Sequence, residues 1–375
     1  MNFDFTDEQN MLKDSVDRFV QDNYSLETRV ELVSTKQGFS DDNWKSFAEL
    51  GWLAMTFDEA DGGFGGNQID TMLIMESFGR GLVVEPYLAS ITLGANALVR
   101  GSNKELKESH VPSLIDGSQQ FCLAYSEEQS RFDLHDVVTS AKADGNNFVI
   151  NGHKSMVLNA ATASHIVVAA RTSGGQIDEQ GISLFLIDAS TTGVKLDNFP
   201  TVDGLRASEV SFDQVKVSAD QLISPIGEGF EILQAVINDA TLAVCAEAVG
   251  AMEILYKDTV EYTQQREQFD HPLAEFQALQ HRMVEMFMEY EQCKSLLYRA
   301  TMETVQADSI KASRTIHALK HLTGKVASFI GESAVQLHGG MGMTEELRVG
   351  HYFKRLLVIE AQFGNTDFHL NQFAA

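Results

Sequence analysis

Cysteine and positive charge are both scarce in this sequence. Only three cysteines occur among 375 residues, Cys122, Cys245 and Cys293, and their wide spacing predicts neither a disulfide framework nor a zinc site. The 28 lysines and arginines are outnumbered by 53 aspartates and glutamates, which gives a formal net charge of -25. Such a surface argues against binding of nucleic acid, whose phosphates need basic side chains. We therefore expect a cytoplasmic protein of a reducing compartment that binds no nucleic acid.

Long hydrophobic runs and a secretion signal are lacking as well. The first nine residues are acidic and show no charged segment followed by an apolar one. We find no apolar run of bilayer-spanning length, so we expect no membrane insertion. His317 and His321 lie four residues apart on one helix face but have no third ligand in view, so we expect no metal site. Hydrophobic residues make up 44% of the chain, enough for two or three domains with sizeable cores.

Residues 1–118 show helical patterning. Thr6 and Gln9 form a capping box, and apolar residues follow at helical spacing. The stretch 61–66 is rich in glycine, but no strand precedes it and it lacks the Gly-Lys-Ser/Thr of a phosphate-binding loop. We interpret it as a plain turn between helices.

Residues 119–225 change to the pattern of short strands. The run Phe148–Ile150 leads into Asn151-Gly152, which predicts a hairpin turn. Further strand-like runs occupy 166–170, 182–187, 194–196 and 209–212. Several short strands joined by turns indicate a small barrel or sandwich.

Residues 226–375 return to helices. Only one proline, Pro272, follows Pro225, and this scarcity permits long helices. Amphipathic segments occupy 227–264, 273–302, 308–338 and 344–361. Joined by short turns, they predict an up-and-down four-helix bundle. The chain thus reads as an N-terminal helical domain (1–118), a central β-barrel or sandwich (119–225) and a C-terminal helical bundle (226–375).

Two motifs in the C-terminal region carry a family resemblance. One is 262–277, which contains Arg-x-Gln-Phe and Phe-Gln, and the other is 336–342, Gln-Leu-His-Gly-Gly-Met-Gly. Together with the order helical, β, helical, they resemble the acyl-CoA dehydrogenase family, flavoenzymes that bind FAD between subunits. The resemblance implies that family's fold, FAD as cofactor, and α,β-desaturation of an acyl-CoA thioester.

The resemblance also implies two sets of FAD-binding residues. One set reaches the ADP half of an FAD that is held mainly by a neighbouring subunit. It comprises Arg266, Gln268, Phe269, Phe276, Gln277, Gln336, Leu337, Gly339 and Gly340. The set around the flavin ring comprises Tyr125, Ser126, Met156, Val157 and Leu158. Asn365 and Thr366 are also expected to bind the cofactor. Plainer interpretations stay open: Arg266 as a solvated charge, the glycine pair as a helix terminator and Met156 as core filler.

The acyl-CoA substrate is expected to contact four residues by the same resemblance. They are Arg131, Phe132, Asn238 and Thr241. The family's glycine-rich loop ending in Ser-Asp is 129–133 here, so the serine that would touch the CoA arm is lost. Arg131 is expected to supply a cation in its place.

The family's catalytic base is missing from both of its usual positions. Desaturation needs a carboxylate within reach of the substrate α-carbon. One position, in the family's Tyr-Glu-Gly-Thr segment, is Gly364 here, and the other is Ala240. Candidate substitutes are Asp239, Glu247 and Asp367, although a salt bridge or a helix cap is an open alternative for each.

Further likeness is carried by the stretches 126–127, 131–134, 203–206, 245–250, 279–282 and 350–355. Through them, nearly the whole chain resembles the small subunit of pimeloyl-CoA dehydrogenases, which pairs with a large subunit of the same fold. Such pairing implies a heterotetramer in which a homologous subunit supplies the base. The substrate would be a bulky or ω-carboxylated acyl-CoA, and the acceptor an electron-transfer flavoprotein or a similar protein. Two alternatives stay open: a homotetrameric enzyme with a displaced base, and a non-catalytic structural or acyl-CoA-binding subunit that has lost FAD.

Overall fold

The computed structural model describes residues 4–306 and 309–375, and the chain divides into two compact units. One unit contains the segment that ends at Glu31 together with Asn67–Val83 and Thr241–Ala375. The other contains Leu32–Gly66 and Val84–Ala240. Each unit therefore combines segments that are distant in the sequence. The domain boundaries at 118/119 and 225/226 stay a prediction.

The N-terminal part is helical, as predicted. Its helices are α1 (Asp7–Asn23), α2 (Leu26–Ser34), α3 (Asp41–Glu49), α4 (Gln68–Gly81), α5 (Asn96–Arg100) and α6 (Lys104–Ile115). The predicted capping box begins α1, because the Thr6 hydroxyl accepts from the Gln9 N–H and the Gln9 side chain accepts from the Thr6 N–H. Residues 61–66 lie in the connection between α3 and α4. The sequence pattern does not predict the π-helical segment Leu88–Ala95 before α5.

Seven strands form the central sheet. They are β1 (Phe121–Ala124), β2 (Ser140–Asp144), β3 (Asn147–Leu158), β4 (His165–Arg171), β5 (Ile182–Asp188), β6 (Val194–Pro200) and β7 (Arg206–Ser218). Their order is β1-β4-β2-β3-β7-β6, and β5 also pairs with β4. Alternate residues of β4, Ile166, Val168 and Ala170, share one hydrophobic core with residues of β1, β2, β3, β5 and β7. The strands thus enclose the single core that a small barrel or sandwich requires.

The predicted hairpin turn at Asn151-Gly152 is wrong. Both residues lie inside β3, and the turn that joins β2 to β3 is Gly145-Asn146 instead. The register of β3 against β7 shifts between Ile150 and Gly152, which marks a bulge. Glycine is required there because a Cβ on residue 152 would lie 2.7 Å from the Cα of Thr139.

The C-terminal part contains the four predicted long helices. They are α7 (Phe230–Gln265), α8 (Gln277–Val305), α9 (Ser309–His338) and α10 (Arg348–Ala361). A small hairpin of β8 (Glu267–Gln268) and β9 (His271–Pro272) joins α7 to α8, and an unpredicted helix α11 (Thr366–Ala374) ends the chain. Arg348 pairs with Asp258 and Arg355 pairs with Glu247, so α10 runs antiparallel to α7.

Helix α7 corrects one expectation. By length and composition alone it is apolar enough to cross a membrane, so the expectation that no apolar run reaches that length is wrong. Of its most apolar window, 72% is buried within the fold, as in the core helix of a bundle. The absence of membrane insertion stays a prediction.

Candidate functional site

The two motifs that suggested a cofactor lie at the same end of the helical bundle. Tyr262 stacks on His338 with ring centroids 4.2 Å apart and ring planes 26° apart. Tyr262 lies in the last turn of α7, just before the β8–β9 hairpin, and His338 ends α9, just before Gly339. Tyr262 and His338, 76 positions apart in the sequence, therefore bring the two motifs onto one surface.

This surface presents groups that suit a nucleotide. Arg266, Gln268, Gln277 and Gln336 are exposed, and 84% of Phe269 is accessible. The backbone of Gly339 and Gly340 is bare, because a Cβ on either residue would meet nothing within 4 Å. A guanidinium, three amides, an aromatic ring and open backbone fit the pyrophosphate and adenine of FAD. Phe276 is half-buried, and Leu337 is buried and so faces the bundle core.

The expected flavin cradle joins the end of β1 to β3 in the other unit. The backbone N–H of Ser155 donates to the Ser126 carbonyl at 2.9 Å. The Lys154 ammonium donates to the Tyr125 carbonyl at 3.0 Å and to Oε1 of Glu127 at 2.6 Å. Tyr125, Ser126 and the strand that carries Met156 are thus tied together by one buried cation.

Sequence reasoning missed the Glu127–Lys154 pair. Both side chains are buried, and Glu127 also accepts from the backbone N–H groups of Val138 and Thr139. Burial opposes ionisation of Glu127, but the Lys154 charge and these hydrogen bonds lower its pKa to about 2. Burial lowers the pKa of Lys154 to about 8. A lysine at an inward position of a strand was the available signal, because such a charge needs a buried partner.

Met156 is not core filler. It has a φ of 54° and is 50% exposed, next to a register shift between Lys154 and Val157 in the pairing of β3 with β7. Val157 is buried in the β-domain core, and Leu158 is half-buried. The bulge therefore presents Met156 outward while its neighbours hold the strand.

The predicted substrate residues differ in accessibility. Arg131 is exposed on a residue with a φ of 50°, and Phe132 is half-buried beside it. On α7, Asn238 is half-buried and Thr241 is only 2% exposed. Of these four residues, only Arg131 is charged, and its exposed guanidinium can contact a phosphate.

Gly364, at the usual base position, cannot be replaced by a side chain without rearrangement. Its φ of 117° is a backbone conformation that favours glycine. A Cβ would lie 2.5 Å from Cδ1 of Phe368 and 2.6 Å from Nε2 of His369. The space into which a glutamate would extend is filled by α11.

The Gly364 loop is held by a buried lysine. The Lys320 ammonium, which is 0% exposed, donates to the Gly364 carbonyl at 2.7 Å and to the Glu360 carbonyl at 2.9 Å. Asn365 caps α11, with its Oδ1 accepting from the Phe368 N–H. Thr366 donates its hydroxyl and its N–H to Glu360. The side chains of Asn365 and Thr366, both expected to bind cofactor, are thus engaged within the loop.

The candidate substitute bases are occupied or exposed. Asp239 accepts from the Arg100 guanidinium at 2.6 Å, and Glu247 binds Arg355 through both oxygens at 2.5 and 2.6 Å. Asp367 is exposed in the first turn of α11. For Asp239 and Glu247, the salt-bridge alternative therefore describes the carboxylate better than a base does. Ala240 is fully buried on α7.

The histidines near Gly364 contact one another and the backbone carbonyls of the loop. His369 Nε2 lies 3.1 Å from the Phe363 carbonyl, so that nitrogen carries the proton, and its Nδ1 lies 2.8 Å from Nδ1 of His317. Burial, with Lys320 and His317 nearby, lowers the pKa of His369 to about 3. His321 Nδ1 contacts the Thr366 carbonyl. Among residues 4–306 and 309–375, no three His, Cys, Asp or Glu side chains are grouped to hold a metal ion.

Three family models match consecutive parts of the chain: the acyl-CoA dehydrogenase N-terminal domain over residues 6–118, the middle domain over 122–215 and the C-terminal domain over 227–375. The probable acyl-CoA dehydrogenase YngJ of Bacillus subtilis is 26% identical over 98% of this chain and 97% of its own length.

Two solved structures match nearly the whole chain. PigA with FAD and proline is 26% identical with a TM-score of 0.91, covering 100% of this chain and 98% of that one. A chain of the ChsE4-ChsE5 complex from Mycobacterium tuberculosis has a TM-score of 0.90 at 23% identity, covering 100% of this chain and 98% of that one. At that identity the second likeness shows the fold alone.

Proposed function

The chain belongs to the acyl-CoA dehydrogenase family, and from that premise we propose that it is one subunit of a heteromeric enzyme that desaturates an acyl-CoA thioester. It is an oxidoreductase acting on CH–CH bonds, and its cofactor is FAD. The geometry at Gly364 is the main support for an enzyme of two different subunits. Neither the backbone conformation of Gly364 nor the space around it admits the glutamate of the family. A homologous subunit supplies the carboxylate instead.

The residues of this chain bind and orient rather than abstract a proton. Arg266, with Gln268 and the Gly339–Gly340 backbone, contacts the ADP half of an FAD held by the partner. The Glu127–Lys154 pair holds the strands around the flavin ring, and Arg131 contacts the CoA arm. Arg266, Gln268 and the Gly339–Gly340 backbone would hold FAD, and the cofactor would supply the hydride acceptor for desaturation. The exposed apolar ring of Phe269 is covered in the assembly.

The finer features of the proposal rest on sequence resemblance. The likeness to the pimeloyl-CoA dehydrogenase small subunit supports a heterotetramer and a bulky or ω-carboxylated acyl-CoA substrate. We infer an electron-transfer flavoprotein or a similar acceptor and a cytoplasmic location.

A non-catalytic structural or acyl-CoA-binding subunit is the second candidate function. It is favoured by the same closed space at Gly364 and by the pairing of Asp239 and Glu247 with arginines. The two functions differ in one result, because only the first gives desaturation when the homologous partner is present.

The cofactor part is tested by flavin content. Arg266→Ala removes a charge-assisted pyrophosphate contact of about 1.5–3 kcal/mol, so the bound flavin per chain in the partnered complex drops. Arg18→Ala, which removes an equally exposed arginine of α1, leaves flavin content unchanged. Wild-type protein that is colourless with its partner and excess FAD overturns the proposal.

A further inference from the structure

A buried side-chain amide without a protein partner lies beside the Gly364 loop. Gln362 is the C-cap residue of α10, two positions before Gly364. Its Oε1 and Nε2 are both shielded from solvent, and neither has a hydrogen-bond partner within residues 4–306 and 309–375. An unpaired buried amide is destabilising, so a fold that retains one calls for an explanation.

The backbone around Gln362 makes hydrogen bonds that do not involve the amide of its side chain. The Gln362 N–H donates to the carbonyls of Val358 at 3.0 Å and Ile359 at 3.2 Å. On the far side, Lys320 holds the Gly364 carbonyl and His369 contacts the Phe363 carbonyl. The chain on both sides of Gln362 is thus committed to other contacts.

The register of α10 against α7 places this amide near a predicted substrate residue. Arg355 pairs with Glu247, and the two helices are antiparallel. Seven residues separate Arg355 from Gln362, and six separate Glu247 from Thr241, which is about 10 Å and about 9 Å at helical rise. Gln362 therefore lies roughly level with Thr241 of the same compact unit.

We propose that Gln362 determines substrate specificity by hydrogen-bonding with a neutral polar substituent, a hydroxyl or a carbonyl, on the acyl chain of the substrate. The inference rests on the proposed function and narrows its substrate class. A carboxamide both donates and accepts, and it carries no charge, so it matches a neutral group. A carboxylate at this point would need a cation, and the nearby Lys320 is engaged by two carbonyls. A site built to hydrogen-bond a substituent discriminates against substrates that lack it.

The test measures acyl-CoA binding by the partnered complex with two matched pairs of ligands. One pair is 4-hydroxybutyryl-CoA and butyryl-CoA, and the other is 4-oxopentanoyl-CoA and pentanoyl-CoA. Wild type prefers the polar member of at least one pair by about tenfold, and the preferred pair identifies the substituent as hydroxyl or carbonyl. Gln362→Met, which keeps the length and removes both hydrogen-bonding atoms, abolishes that preference.

Thermal unfolding of the ligand-free protein gives a second readout. Because Gln362→Met removes an unpaired buried amide, its Tm rises by about 2–4 °C. Gln306→Met is the matched control, because Gln306 is the C-cap residue of α8 and is exposed, and it changes neither Tm nor ligand preference.

Three results overturn the inference while leaving the proposed function intact. The first is a wild-type complex that binds acyl-CoA with no preference within either pair. The second is a Gln362→Met complex that keeps the preference. The third is a fall in the Tm of the ligand-free Gln362→Met protein, as for an amide that serves structure through bound water. A wild-type complex that binds no acyl-CoA thioester, bulky and ω-carboxylated ones included, overturns the proposed function itself, and this inference with it.

Discussion

Replacing Gly364 by alanine tests the geometry at the missing base most sharply. The change forces a Cβ onto a residue with a φ of 117°, at 2.5 Å from Phe368 and 2.6 Å from His369. The backbone strain costs about 1–2 kcal/mol and the overpacking about 1–3 kcal/mol. We expect Gly364→Ala to lower the free energy of unfolding by about 2–5 kcal/mol, measured by urea denaturation of the purified complex.

A matched control separates the strain from the collision. Gly145, in the β2–β3 turn, has a φ of 64°, and a Cβ there would meet nothing within 4 Å. Gly145→Ala should therefore cost only the backbone term, about 1–2 kcal/mol. If Gly364→Ala costs no more than Gly145→Ala, the space at residue 364 is open and the reasoning is refuted.

The same geometry bears on restoring a base. Gly364→Glu can create activity only if the pocket admits a carboxylate. The structure shows α11 in that space, so we expect Gly364→Glu to destabilise the protein and to give no desaturase activity. Desaturation by a stably folded Gly364→Glu homomer would contradict this.

Three further outcomes follow from buried charges. Arg355→Met leaves Glu247 buried without its partner and should cost about 3–5 kcal/mol in urea denaturation, with part recovered by adding Glu247→Gln. Burial raises the pKa of Glu85 from 4.5 in the unfolded chain to about 7, so the free energy of unfolding falls as the pH rises from 4.5 to 7. Glu85→Gln should therefore stabilise the protein by up to about 3 kcal/mol at pH 8 and by little at pH 4.5, as measured by unfolding curves at the two pH values. Burial lowers the pKa of His369 from 6.5 to about 3, so its contribution to folding stability is present above pH 6.5 and is lost as the pH falls toward 3. His369→Gln should therefore make Tm depend less on pH between 6.5 and 3.

Features set by local sequence were predictable. The Thr6–Gln9 capping box needs only four residues, and the long helices of the bundle repeat one pattern over many turns. The prediction of a turn at Asn151-Gly152 was wrong because the same dipeptide also suits a β-bulge. The close approach of Thr139, from a distant part of the sequence, favours the bulge over the turn.

The candidate site divides in the same way. Arg266 and Gly339 could be recognised from the sequence because they belong to two compact motifs, and the fold brings these motifs together on the surface that we propose binds FAD. The closed space at Gly364 depends on how α11 packs, and the unpaired amide of Gln362 depends on every neighbour at once. Such properties exist only in the folded arrangement.

Turnover with and without a homologous subunit tests the central claim most directly. The measurement is the rate of acyl-CoA desaturation by this chain alone and by the chain co-purified with an acyl-CoA dehydrogenase subunit that carries the usual glutamate. Without a positioned base, we expect the rate of the chain alone to be lower by about 10²–10⁴. Equal and robust turnover by the chain alone would contradict the claim that the base comes from a partner.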